Sequence, residues 1–237
     1  MILVTGSGGY IGCVLIPMLL KSGHRVRAVD RYYFGMHLPQ DDGHLEIVQE
    51  DVRRLKPEHF SGVDAVIDLA ALSLDPTDKL FTDVTENVNH ASRLRTAKLA
   101  KEAGVKRYVL PASCSVYGWQ EADVIADETT KPNPLTTYAK MNLMAERDTM
   151  ALADDDFCVV AVRQSTVFGT SPRMRFDIAI NAMTLGAYET GHIRLMRDGT
   201  QWRSWGHVKD TARAIHFMLE ADAGDVPEVG GAARGGR

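Results

Sequence analysis

The 237-residue sequence predicts a doubly wound α/β fold, a parallel sheet with helices on both faces, followed by a small C-terminal region. Three observations predict it. Short apolar runs alternate with longer amphipathic ones, the first run leads straight into a glycine-rich turn, and the second closes on an acid.

The strands are expected at Met1 to Thr5, Arg25 to Asp30, Leu45 to Val48, Ala65 to Leu69, Arg107 to Pro111 and Cys158 to Arg163. Each is too short and too continuously apolar for an amphipathic helix, as befits strands covered on both faces. Helical periodicity is clearest from Asp78 to Ala103, where Val84, Val88, Ala91, Leu94, Ala97, Leu99 and Ala100 are expected on the buried face. Gly104 then stops that helix. A second helix is expected from Leu135 to Ala153 and a third from Asp210 to Ala221, with Ala212, Ala214, Ile215 and Met218 inside. Pro17 removes a hydrogen bond from the helix after the first strand and predicts a kink there. Residues 1–168 are expected to form the first domain. Residues 169–237 form a reduced region whose Asp210–Ala221 helix packs back on it, and the end from Gly230 to Arg237 should fray.

A composition of 45% hydrophobic and 24% charged residues excludes disorder, collagen and coiled coil. Lys+Arg 27 against Asp+Glu 31, a net charge of -4, argues against nucleic-acid or anionic-membrane partners. The longest apolar stretch, Cys13 to Leu20, falls short of the roughly 20 residues that span a bilayer. Cys13, Cys114 and Cys158 form no redox or zinc motif, so a reducing cytoplasm is expected, and the first residues already belong to a folded motif rather than a signal peptide. The eight histidines are dispersed, with no pair three or four apart beside a carboxylate. No metal site is therefore expected, and His207 and His216 read as packing or surface residues.

In Ile2-Leu3-Val4-Thr5-Gly6-Ser7-Gly8-Gly9-Tyr10-Ile11-Gly12, three glycines stand three apart where strand becomes helix. Gly6 permits the tight turn, Gly9 lets backbone N–H groups approach a pyrophosphate, and Gly12 lets the helix lie close to the sheet, the pattern of a Rossmann-type dinucleotide site. Asp30, about 20 residues on, can accept both hydroxyls of an adenosine ribose and repels a 2′-phosphate. NAD is thus favoured over NADP, with Arg31 leaving room for the phosphorylated form.

These segments, with Asp51-Val52, Asp64 through Ala71, Asn87, Ser113-Cys114-Ser115-Val116-Tyr117-Gly118, Tyr138 and Arg203 through Asp210, resemble the extended short-chain dehydrogenase/reductase family, the NAD-dependent nucleotide-sugar epimerases and dehydratases. The resemblance implies that the turn from Gly6 to Gly12, Tyr10 and Ile11 included, holds the pyrophosphate. Asp51 and Val52 would flank the adenine, Leu69, Ala70 and Ala71 would wall the cofactor, and Asn87 would be a buried polar residue of the long helix. Ser113 would hold the reacting sugar hydroxyl and Tyr138 would act as base.

Where the family carries lysine four residues after that tyrosine, this chain has Asn142. Lys140 points to a different side of a helix. A phenol has a pKa near 10, and each unit by which a cation lowers it is worth about 1.4 kcal/mol. The sequence therefore predicts slow or alkaline-shifted redox chemistry, raised by Asn142→Lys.

By the same resemblance, proton removal by Tyr138 with hydride transfer to NAD would give a transient keto-sugar. Cys114 and Ser115 stand where dehydratases carry an Asp-Glu pair, which favours epimerisation over elimination. Arg203 would grip a nucleotide diphosphate, with Trp202 and Trp205 beside it expected to be packed, while Ser115 and Thr166 would face the sugar. After the strand ending at Arg163, Gln164-Ser165-Thr166 stands where the family often has asparagine near the sugar. Relatives continue past Val229-Gly230-Gly231, so the substrate lid is expected to be small. A homodimer would use the two long helices beginning at Asp78 and Leu135. Two alternatives remain: an impaired NAD-binding regulator or inactive partner subunit, and a reductase of a non-sugar alcohol or ketone.

Overall fold

The computed structural model describes residues 1–40, 43–73, 81–120, 124–195, 198–199 and 202–221. The expected helix start at Asp78 and the tail from Gly230 to Arg237 lie outside them. Six strands, β1 (Ile2–Thr5), β2 (Val26–Asp30), β3 (Leu45–Gln49), β4 (Ala65–Asp68), β5 (Arg107–Ser113) and β6 (Cys158–Gln164), form a parallel sheet in the order β3-β2-β1-β4-β5-β6. The order reverses between β1 and β4, and a crevice opens at their C-terminal ends.

Alternation along each strand feeds two cores. Ile2, Val4, Val26, Ala28, Ile67 and Val109 meet Leu15, Ile16 and Leu19 of α1 (Gly12–Lys21) and Ala212, Ile215 and Leu219 of α6 (Val208–Glu220). Leu3, Val29, Val66, Tyr108 and Leu110 face the other way, onto Leu55, Phe60, Ala97 and Ala100 of α3 (Ser92–Glu102) and Ala145 of α4 (Thr137–Met150). Both strand faces are dry, which is why the sequence runs are continuously apolar. Helix α1 continues through Pro17, which sits on its exposed side.

The long helix departs from its expected face. It runs as α2 (Thr82–Glu86), a π turn (Asn87–Ala91) and α3, and it buries Thr85, Asn89, Ser92, Arg93 and Thr96 before Ala97 and Ala100. Val84 and Ala91 are exposed. The widened turn changes the face that an uninterrupted α-helix would present, and the polar stripe is drawn inward because it serves the loop after β4.

Beyond β6, β7 (Thr166–Phe168) and β8 (Trp205–His207) form a parallel two-stranded sheet, with α5 (Ala179–Thr190) between them in sequence. The His207 ring packs edge-on against Phe168, and Nδ1 accepts the Lys209 N–H at 3.2 Å as the cap of α6. No helix among the described residues is long and apolar enough to cross a membrane.

Candidate active site

At the end of β1 the chain turns at Gly6, φ 64°, where a Cβ would lie 2.7 Å from the Ala70 nitrogen and the Leu69 carbonyl carbon. Only glycine fits both the positive φ and that approach. A Cβ at Gly9 would stand 3.0 Å from the Gly6 oxygen, and one at Gly12 2.4 Å from the Ser7 oxygen. Gly12 thus spares the turn's own backbone rather than the sheet, a correction to the expected role. The N–H groups of Tyr10 and Ile11 donate to no protein acceptor among the described residues, leaving donors at the start of α1 as an anion requires. This cradle fits a dinucleotide pyrophosphate.

Asp30 closes β2 as expected. Its carboxylate accepts the Gly8 N–H at 3.2 Å and the Tyr32 N–H at 2.7 Å. Tyr32, absent from the sequence reading, adopts φ 53° and slides its ring beneath Gly8. Its hydroxyl donates to the Ala28 oxygen at 3.1 Å and stands 3.0 Å from Ser7 Oγ. Burial pushes that phenol up to about 12, so it remains a donor.

Asp51 caps the turn Val52–Arg54 and receives a bidentate grip from Arg53, with Nη2 to Oδ2 at 2.6 Å. Arg31 Nη1 lies 3.1 Å from the same oxygen, and its guanidinium covers the Tyr33 ring at 4.0 Å. These arginines hold the Asp51 carboxyl down at about 2. Val52 is half-buried beside it.

Tyr10 has two duties. Its backbone belongs to the turn, while its phenol donates to the Gly169 oxygen and accepts from Asn181 Nδ2 at 3.2 Å. Ser171 Oγ donates to the Tyr10 oxygen at 2.8 Å. The side chain is a strut between the turn and the segment after β7, while Ile11 is half-buried at the start of α1.

The wall after β4 is held residue by residue. Thr5 Oγ1 accepts the Ala70 N–H at 3.2 Å, and Arg93 Nε donates to the Ala70 oxygen at 3.2 Å. Asn89 clamps Leu72 through two bonds of 2.8 Å, and Arg175 Nη2 donates to the Ser73 oxygen at 3.1 Å. Leu69, Ala70 and Ala71 stay partly exposed on this wall. Asn87 is exposed and Asn89 is the fully buried amide. The expectation for Asn87 is therefore corrected: the π turn puts its neighbour two positions on against the wall.

Ser113 ends β5, and its Oγ accepts the Ser115 N–H at 3.2 Å to cap the turn Cys114–Tyr117. Ser115 Oγ and Gln164 Oε1, the latter on the residue paired across the sheet with Ser113, are buried with no hydrogen-bond partner among the described residues. Orphaned buried polar atoms beside a predicted catalytic serine suit a polar ligand. Gly118 takes φ 61°, and a Cβ there would collide with the Asn133 oxygen at 1.6 Å, so the loop leading to α4 crosses in contact with this turn.

Helix α4 packs on β5 and on that turn. Thr136 caps it by accepting the Ala139 N–H at 3.1 Å, which puts Tyr138 in its first turn. Tyr138, Asn142 and Glu146 lie on one stripe of the helix. Asn142 is 1% exposed and donates from Nδ2 to the Tyr138 oxygen at 2.9 Å, while its Oδ1 accepts from Arg93 Nη1 at 3.1 Å. Arg93 itself is 3% exposed. Glu146 pairs bidentately with Arg163 of β6, whose Nη1 also donates to the Tyr117 hydroxyl at 3.0 Å. Lys140 is exposed, on another side as expected.

The backbone of Thr166 donates to the Ser204 oxygen at 3.2 Å, and Ser204 Oγ reaches Cys114 Sγ at 3.7 Å. The segment carrying Arg203 is thereby brought beside the turn that follows Ser113. Arg203 is exposed and makes no hydrogen bond or ion pair among the described residues. Trp202, 98% exposed, is not packed, contrary to expectation, whereas Trp205 is 41% exposed on β8.

Residues 2–230 match the NAD dependent epimerase/dehydratase family. A UDP-glucuronate 4-epimerase of Thermodesulfobacterium geofontis is 28% identical over 97% of this chain and 74% of its own length. An uncharacterized UDP-glucose epimerase, YtcB of Bacillus subtilis, is 26% identical over 98% of this chain and 77% of its own. Among solved structures, MoeE5 in complex with UDP-glucuronic acid and NAD superposes with a TM-score of 0.82 at 33% identity, covering 93% of this chain and 72% of that one. With the glycine cradle, the strand-end acid and the serine–tyrosine elements on one sheet edge, the chain belongs to the NAD dependent epimerase/dehydratase family.

Proposed function

We propose that the chain is an NAD-dependent nucleotide-sugar epimerase working through a transient keto-sugar. Gly6, Gly9, Gly12 and the Tyr10 and Ile11 N–H groups would hold the pyrophosphate, Asp30 the adenosine ribose, and Asp51 and Val52 the adenine edge. When bound, NAD supplies a hydride acceptor and donor. Tyr138 takes the proton of the reacting sugar hydroxyl and returns one after the keto-sugar has turned, while Ser113 holds the oxygen by hydrogen bond. Cys114 and Ser115 offer no carboxylate for elimination, so inversion at the oxidised carbon is the favoured outcome.

The observation that carries an active enzyme is the Arg93–Asn142 pair. A guanidinium keeps its charge at every relevant pH, and in a dry setting its field reaches further than in water. Arg93 thus sets a guanidinium behind the Asn142 amide, which stands on the tyrosine's own helix stripe where the family's lysine would. This favours the enzyme over an inert NAD-binding partner. Arg203, exposed and without a partner among the described residues, precedes Ser204, which reaches Cys114, and suits a diphosphate, with Ser115 and Thr166 toward the sugar.

Exposed Ala91 and Met144 line, together with Asp83, Glu86, Asn87 and His90, a groove between the π turn and α4. A second copy of the chain packing there, in the cytoplasm, completes the reading. The test incubates the protein with NAD+ and a panel of UDP-, GDP-, CDP- and dTDP-sugars and follows sugar stereochemistry. Inversion of at least one sugar, reduced at least about a hundredfold by Tyr138→Phe, is expected. NAD binding with silence across the panel would establish the inert reading instead.

A further inference from the structure

We propose that His24, His216 and Glu220 form a binding site for a divalent transition ion of zinc type. The site lies at the N-terminal end of the strands, opposite the glycine turn, because His24 occupies the turn between α1 and β2, ahead of Val26. His216 and Glu220 stand one helical turn apart on α6 and so share a face. Sequence spacing hides the group, since His24 is 196 positions from Glu220.

The geometry is that of ligands sharing an ion. One nitrogen from each ring and one carboxylate oxygen all lie within 4.8 Å of one another. His24 Nε2 stands 3.1 Å and His216 Nε2 3.4 Å from Glu220 Oε1. Bonds of about 2.0–2.1 Å to a tetrahedral ion place neighbouring ligand atoms roughly 3.3 Å apart, so both separations suit a common centre. The rings are 5.6 Å apart and nearly perpendicular, at 82°.

A second, independent observation points the same way. His216 Nε2 is buried and has no hydrogen-bond partner among the described residues, although it lies 3.4 Å from the carboxylate. A hydrogen bond from His24 satisfies Glu220 Oε1 but leaves that nitrogen orphaned. An ion accepting lone pairs from all three groups satisfies it. Two imidazoles and one carboxylate suit zinc and disfavour magnesium, which prefers oxygen ligands. The supports are firm: α1 and α6 share one core, and Arg107 Nη1 fixes the end of α6 by donating to the Met218 oxygen at 2.9 Å and to the Ala221 oxygen. The ion would staple the α1–β2 turn to α6 and leave one position for water.

The test uses the untagged chain, stripped with chelator and titrated calorimetrically with zinc chloride and with magnesium chloride. One zinc per chain, no magnesium and a raised melting temperature with zinc are expected. His24→Ala and Glu220→Gln should each weaken zinc at least tenfold while leaving the circular dichroism and the chelator-treated melting temperature as in the wild type. Absence of zinc binding up to 0.1 mM, roughly the range of weak sites, or zinc affinity unchanged in both variants, would overturn the proposal.

Discussion

Arg93 donates to Asn142 across 3.1 Å with both side chains almost wholly buried, joining the helix that lines the cofactor wall to the helix that carries Tyr138. The same guanidinium holds the Ala70 oxygen, and the Tyr108 hydroxyl, which donates its proton to Asp68, stands 3.2 Å from the Arg93 oxygen. A cation so placed changes what substitution at position 142 does.

Asn142→Lys is expected to fail where sequence alone predicts a gain. It sets an ammonium beside a buried guanidinium and removes the acceptor of Arg93 Nη1, a class of change that costs about 3–5 kcal/mol. Denaturant unfolding of the single variant should show that loss with no rise in turnover. The double variant Arg93→Met, Asn142→Lys should recover most of both, since one cation then remains. A single variant that is as stable as wild type and faster would contradict the role given to Arg93.

Gly6→Ala forces a side chain into φ 64° and against the Ala70 backbone. A stability loss of about 2 kcal/mol and loss of coenzyme binding are expected together. Thermal melts and calorimetry on the one variant check both.

Glu146→Gln leaves Arg163 buried with a neutral partner, and the guanidinium's pKa is raised in the native protein chiefly by that carboxylate's hydrogen bonds. Stability should fall by about 3 kcal/mol. Turnover should fall too, because this pair ties α4 to β6 and to Tyr117.

The acid limb of stability should carry the signature of Asp51. Its carboxyl is held at about 2, below the roughly 3.9 of an unfolded chain. The lowered value means the contribution, on the order of 1–2 kcal/mol, is complete above about pH 4 and lost as pH falls toward 2. Asp51→Asn should destabilise at pH 7 and converge with wild type near pH 2 in urea melts.

The strands and the glycine turn were legible because their signals are local: continuous apolar runs, glycine spacing and an acid at the end of β2. The long helix was misread at Asn87 because a π turn leaves no mark in hydrophobic periodicity, and because its buried stripe is polar where it serves the wall after β4. Tyr138 and Ser113 could be found by resemblance, but what supports them could not. Arg93 reaches Asn142 over 49 positions and Tyr10 reaches Asn181 over 171, and no spacing rule joins such residues. Tyr32 alone lay within local reach, two residues after Asp30 and able to pass beneath a glycine.

Calorimetric titration of the chain with NAD+ and NADP+ at neutral pH tests the central claim most directly. One NAD+ per chain is expected, with NADP+ weaker and Asp30→Ala at least tenfold weaker for NAD+. No heat of association with either coenzyme would contradict the account.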